Sequence, residues 1–170
     1  MAKALMIIAP SNFRDEELFQ TKDELEKAGV KVTVASKKTG TITGMLGGKA
    51  TSEKALADVN VSEYDAIVFV GGGGSEVYYT DSQALGIARE AVKQGKVLAA
   101  ICIAPATLAN AGLLKGKKAT SYPSVQAQLE EGGAKFTGAG VERDGLLITA
   151  DGPGNAKKFG EAVRDALAGR

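Results

Sequence analysis

Cys102 is the only thiol of the chain, and it stands in Ala100-Ile101-Cys102-Ile103-Ala104, with small residues two before and two after it. A nucleophile elbow needs that spacing, because a strand turning sharply into a helix leaves no room for larger flanking side chains. The apolar run before the cysteine and the helical run after it supply the strand and the helix. A sulfur at that corner faces unpaired amides and the positive end of a helix, which favour thiolate over thiol, so an activated, accessible nucleophile is expected. Free cysteines also serve as small core hydrophobes. Ile103 adds an opposing influence, since an apolar neighbour desolvates a thiolate.

Gly71-Gly72-Gly73-Gly74 follows another apolar run. It lacks the glycine spacing of a dinucleotide fingerprint, and no Gly-Lys-Ser/Thr follows to make a phosphate loop. A glycine run does let backbone N–H groups approach a ligand closely, which suits an oxyanion hole, although a tight turn is the plainer alternative. Carboxylates come from Glu16 and Glu17, on a helix expected over 14–28. At about 100° per residue, with Leu18 and Leu25 marking the buried stripe, Glu16 lies about 160° from Leu18 while Glu17 borders the stripe. Glu17 can therefore face inward and Glu16 cannot, although acidic residues in a first helical turn are also favoured by the dipole alone.

The elements that must position these groups are five short apolar runs, 4–9, 30–35, 66–70, 97–101 and 146–150, mostly continuous as in parallel strands covered on both faces. Between them, residues 82–94 and 157–167 carry helical stripes, and 123–131 opens with Pro123 at a first helical position and ends at Gly132-Gly133. Strands alternating with helices predict an α/β fold with a parallel sheet and helices on both faces. The glycine-rich stretch 40–62 breaks the rhythm and is expected to form a hairpin or excursion. Ligands of open α/β sheets bind outside the carboxyl ends of the strands, and the thiol, the carboxylates and the glycines all fall in loops on that edge.

Composition narrows the function classes. With 170 residues the expectation is one domain, 1–170, with a core that needs neither disulfides nor metal. Lys plus Arg of 21 against Asp plus Glu of 20 gives no basic field for nucleic acid. No apolar run approaches the ~20 residues that cross a bilayer, and no secretory pattern opens the chain, so no membrane partner and a cytoplasmic location are expected. One cysteine and no histidine exclude zinc sites of the thiolate or imidazole kind, and no calcium-loop spacing is present; no metal and no cofactor are expected.

Taken together, "RDEELF", "AGVKVTVAS", "GTITGMLGG", "YDAIVFVGGGG", "LAAICIAP", "KKATSYP" and "DGLLITADGPG" run the length of the chain, which resembles the PfpI intracellular protease family. The same ThiJ/PfpI-like superfamily holds a human parkinsonism-associated deglycase. The resemblance implies a flavodoxin-like three-layer α/β sandwich, with Cys102 at the elbow and Glu17 hydrogen-bonded to its sulfur. It implies oxyanion amides at Gly72 and Ile103, and Glu76 as a glutamate that reaches the site from a neighbouring subunit. Tyr122 matches a position where the human deglycase has a histidine and the protease branch a tyrosine; a plain packing aromatic is the alternative. A homo-oligomer, dimer or hexamer, is expected.

Where the protease branch has the histidine base, this chain has Ile103, and no other histidine exists to replace it. A cysteine–histidine peptidase mechanism is therefore unavailable. The expected function is attack by Cys102 on small reactive carbonyls or their adducts, of glyoxalase or deglycase type, with Glu17 moving the proton and Gly72 and Ile103 holding the oxyanion. The alternatives are a cysteine-oxidation sensor or redox-responsive chaperone and, lower, a peptidase working with Glu76. The expected partner is thus a small carbonyl compound or an oxidant.

Overall fold

In the computed structural model, which describes residues 1–170, the five apolar runs become the middle of one sheet. The chain opens with β1 (Lys3–Ile7), α1 (Asp15–Lys27), β2 (Lys31–Ser36), a hairpin of β3 (Gly40–Thr43) and β4 (Lys49–Ser52), and the short β5 (Lys54–Ala55). After two 3-10 turns come β6 (Ala66–Phe69), α2 (Ser82–Lys93), β7 (Val97–Ile101) and α3 (Pro105–Asn110). The remainder forms β8 (Lys118–Ala119), α4 (Gln126–Glu131), β9 (Lys135–Phe136), β10 (Val141–Asp144), β11 (Leu147–Ala150) and α5 (Ala156–Ala168).

The main sheet runs β10-β11-β7-β6-β1-β2-β5 and is parallel except where β10 pairs antiparallel with β11. Side chains alternate across it. Leu5, Ile7, Ile67, Phe69, Leu98 and Ala100 enter a buried cluster with α2, α3 and α4, while Ala4, Met6, Val68 and Ala99 enter a second one with α1 and α5. Both faces are covered, which is why the strand sequences are continuously apolar. The chain leaves β1 toward β2 on one side and later returns through β6 and β7 on the other. The order reverses between β1 and β6, so a crevice for ligands opens at the carboxyl ends of those strands.

Two features differ from expectation. The sheet has seven strands because two short edge strands join the five: β5, two residues long, beside β2, and β10, a polar strand of sequence Val-Glu-Arg-Asp that pairs by its backbone and carries no apolar run to announce it. The segment 123–131 is split into a 3-10 turn at Pro123–Val125 followed by α4. On the far face, α5 approaches α1 at Gly160, where a Cβ would stand 2.9 Å from Glu24 Cβ and 3.1 Å from Thr21 Cα. Gly160→Val is expected to cost about 1–3 kcal/mol of stability by overpacking, read as a lower urea midpoint at unchanged slope. No helix is long and apolar enough to cross a membrane.

Candidate active site

β7 ends at Ile101, and Cys102 turns the chain with φ +65°, one of only two non-glycine residues in the left-handed region. Such a conformation costs of order 1–3 kcal/mol and persists only when its surroundings impose it. Here they do: the Cys102 N–H donates to Ala150 O at 2.9 Å at the end of β11, and Cys102 O accepts from Tyr122 N at 2.8 Å. Ala104 N donates back to Ile101 O at 3.1 Å, closing the turn before α3. The small residues flanking the cysteine are buried, Ala100 fully and Ala104 at 2% exposure.

The glycine run packs directly on this corner. A Cβ on Gly71 would lie 2.7 Å from Cys102 Cβ and 2.5 Å from Glu17 Oε1, so no larger residue fits between β6 and the elbow. Gly71 N instead donates to Glu17 Oε1 at 2.9 Å. Gly72 follows with φ +104°, and its amide and that of Ile103 pull the Cys102 thiol down against the raising effect of burial. Glu17 is fully buried on the inner face of α1, beside the thiol, and its Oε2 has no hydrogen-bond partner. Glu16 points away and pairs with the Arg14 guanidinium at 2.9 and 3.0 Å.

Burial governs the electrostatics of this pair. Desolvation raises the Glu17 carboxyl to about 8, against the lowering influence of the sulfur and the Gly71 amide. Desolvation, followed by the Glu17 charge, pushes the Cys102 thiol up to about 12, although the Gly72 and Ile103 amides pull it down. For the free pair, burial therefore outweighs the amides, a balance between opposing influences that the sequence left open. Helix α3 has only six residues and begins at Pro105. The two groups titrate as a unit. Below about pH 8 the carboxyl is protonated, and one proton must leave before the sulfur becomes nucleophilic.

A model described as the DJ-1/PfpI family matches residues 2–166 of this sequence. The chain belongs to the DJ-1/PfpI family. An uncharacterized protein of Methanocaldococcus jannaschii is 47% identical to it over 169 residues, which cover 98% of this chain and 82% of that protein. A protein of Pyrococcus abyssi named a deglycase is 34% identical over 151 residues, 89% of this chain and 91% of that one. The crystal structure of a ThiJ/PfpI domain protein from Brachyspira murdochii superposes with a TM-score of 0.97 at 32% identity, covering 99% of this chain and 97% of that chain. The mostly parallel sheet with helices on both faces is the flavodoxin-like α/β fold of these proteins.

The remaining residues that the DJ-1/PfpI resemblance singles out are not gathered at the sulfur within one protomer. Glu76 lies exposed in the 3-10 turn Gly73–Tyr78 and forms no ion pair. Tyr122 is 47% exposed; its backbone braces the elbow, while its ring stands near Gly152. Two contributors were not singled out from sequence. Asp15, 7% exposed, accepts from Leu46 N at 2.8 Å and Gly48 N at 2.7 Å, strapping the β3–β4 turn across the start of α1. Its signal was present in the glycine-rich turn, whose bare amides need an acceptor, and an acid in a first helical turn supplies one. That strap brings the Met45 sulfur within 3.5 Å of Gly73 N, at the edge of the glycine turn. The second is Tyr79, which follows that turn.

Proposed function

We propose that this protein acts on small reactive carbonyls, 2-oxoaldehydes or their adducts, through Cys102 and Glu17. The observation that carries the reading is geometric: Cys102 sits at a left-handed elbow beside the fully buried Glu17, whose Oε1 accepts from the Gly71 amide at 2.9 Å. The deglycase-named relative of similar length lends support.

Once the pair has lost its first proton, the sulfur adds to the aldehyde carbon. The S–C bond forms, the carbonyl π pair moves to oxygen, and the Glu17 carboxyl passes its proton to that oxygen. The Gly72 and Ile103 amides sit where they can hold the developing charge. The resulting Glu17 carboxylate then takes a proton from the former aldehyde carbon, giving an enediol(ate), and returns it to the neighbouring carbon, while the hydroxyl proton of the adduct moves to the second oxygen. This leaves a thioester that water cleaves to a 2-hydroxy acid and free thiol. No histidine is needed, because an aldehyde is electrophilic and no amine must be expelled. A peptide bond imposes that burden, which disfavours the peptidase reading. Oxidation sensing by Cys102 needs the same thiolate and is the second reading.

Wild-type protein is expected to convert methylglyoxal to lactate in an enzymatic end-point assay. Inactivity at high protein concentration would overturn the reading.

A further inference from the structure

Only two buried side-chain polar atoms in the chain lack a hydrogen-bond partner: Glu17 Oε2 and the Tyr79 hydroxyl. The first belongs to the carboxyl beside the sulfur. Tyr79 follows the 3-10 turn that begins directly after Gly72, and its carbonyl accepts from the Asn110 side chain of α3 at 2.8 Å. The residue is thus held between the glycine turn and the helix that leaves the elbow, and it packs against the same core cluster as Ile103. Its neighbour Tyr78 shows how a buried phenol is otherwise satisfied in this fold. The Tyr78 hydroxyl donates to Ile8 O at 2.7 Å and meets Ser36 Oγ at 3.2 Å.

An unpaired buried hydroxyl is a net cost, and native proteins keep few of them outside functional sites. Burial, then the charges of Glu76 and Cys102, push the Tyr79 phenol up to about 12, so it remains a donor across the physiological range. The hydroxyl is closed off from bulk water, and no group of the chain accepts from it.

We propose that Tyr79 is a catalytic residue that sets specificity for 1,2-dicarbonyls, its hydroxyl donating to the second carbonyl oxygen of a substrate whose first carbonyl carbon is bonded to Cys102. The proposal rests on the carbonyl reading above. In the adduct the sulfur holds the former aldehyde carbon, the Gly72 and Ile103 amides take the oxygen on that carbon, and Tyr79 takes the oxygen one carbon away. Tyr79 lends a hydrogen bond and keeps its proton. A simple aldehyde has no oxygen at that place and leaves the hydroxyl unpaired. A site built around a hydrogen bond to the ligand rejects the analogue that lacks it.

The test is Tyr79→Phe, which removes one oxygen atom. Adduct formation is measured as protection of Cys102 from iodoacetamide by methylglyoxal and, separately, by propanal. The concentration of methylglyoxal giving half protection is expected to rise about tenfold, a loss typical of one ligand hydrogen bond. That for propanal is expected to change less than twofold. Thermal unfolding of the variant is expected at or above the wild-type midpoint, because no internal hydrogen bond is lost. Equal changes for the two aldehydes, or no change for either, would overturn the proposal, as would a midpoint several degrees lower, which would reveal a structural partner. Because protection needs no turnover, wild-type protein that binds methylglyoxal without converting it would sink the carbonyl-turnover reading and leave the role of Tyr79 to be decided by the same comparison.

Discussion

Cys102→Ala is expected to abolish methylglyoxal turnover, and Cys102→Gly to do the same while unfolding at higher denaturant than Cys102→Ala. The first outcome follows from the chemistry: without sulfur no adduct forms, and Glu17 has nothing to protonate. The second follows from the backbone. At φ +65° an alanine keeps the steric cost of the left-handed region, whereas glycine does not. The two variants remove the same reactive atom and differ by one methyl group, so their difference isolates the conformational term. A gain of about 1 kcal/mol for glycine is the expected size. Urea midpoints of the two variants measure it, and a glycine variant no more stable than the alanine one would show that the corner is unstrained.

Glu17→Gln is expected to lower turnover by about 10²- to 10⁴-fold, the range for loss of a positioned proton-transfer group. It is also expected to change how stability depends on pH. Burial raises the folded-state carboxyl from its ordinary value near 4.5 to about 8, so the folded protein binds this proton more tightly than the unfolded chain does. The stability from that proton is fully present below about pH 4.5 and is lost as pH rises through about 8. Within that window the wild type should lose up to about 1.4 kcal/mol per pH unit relative to the variant, with no further divergence above it. Glutamine stays neutral throughout, so the difference between the two urea-derived stabilities, plotted against pH, measures the carboxyl directly. A flat difference would mean that Glu17 is ionised in the folded protein at neutral pH.

The strands were legible because burial on both faces leaves continuous apolar runs, as in Ala66–Phe69 and Val97–Ile101, which are entirely buried. β10 was not legible, since an antiparallel edge strand needs only backbone partners and Val141–Asp144 is mostly polar. The inward direction of Glu17 could be derived from helical geometry, because two leucines fix the stripe. The direction of the Cys102 shift could not. It is a difference between amide and helix fields on one side and desolvation plus a carboxylate on the other, and only coordinates weigh them. Tyr79 was hidden for another reason. Nothing in "VYYT" separates a phenol with two partners from one with none, because the partners of Tyr78 lie 42 and 70 residues away along the chain.

The reactive corner is assembled from segments that meet late. The Gly71 amide and the Glu17 carboxylate that it contacts are 54 residues apart, and the elbow amide reaches its acceptor only at Ala150. Contacts of that separation form after the intervening chain has closed its loops. A nascent or partly unfolded chain therefore carries Cys102 as an ordinary solvated thiol, with neither proton partner nor oxyanion amides. The proposed chemistry needs β1, β6, β7 and β11 in register, so activity of that kind would report that the whole sheet has closed.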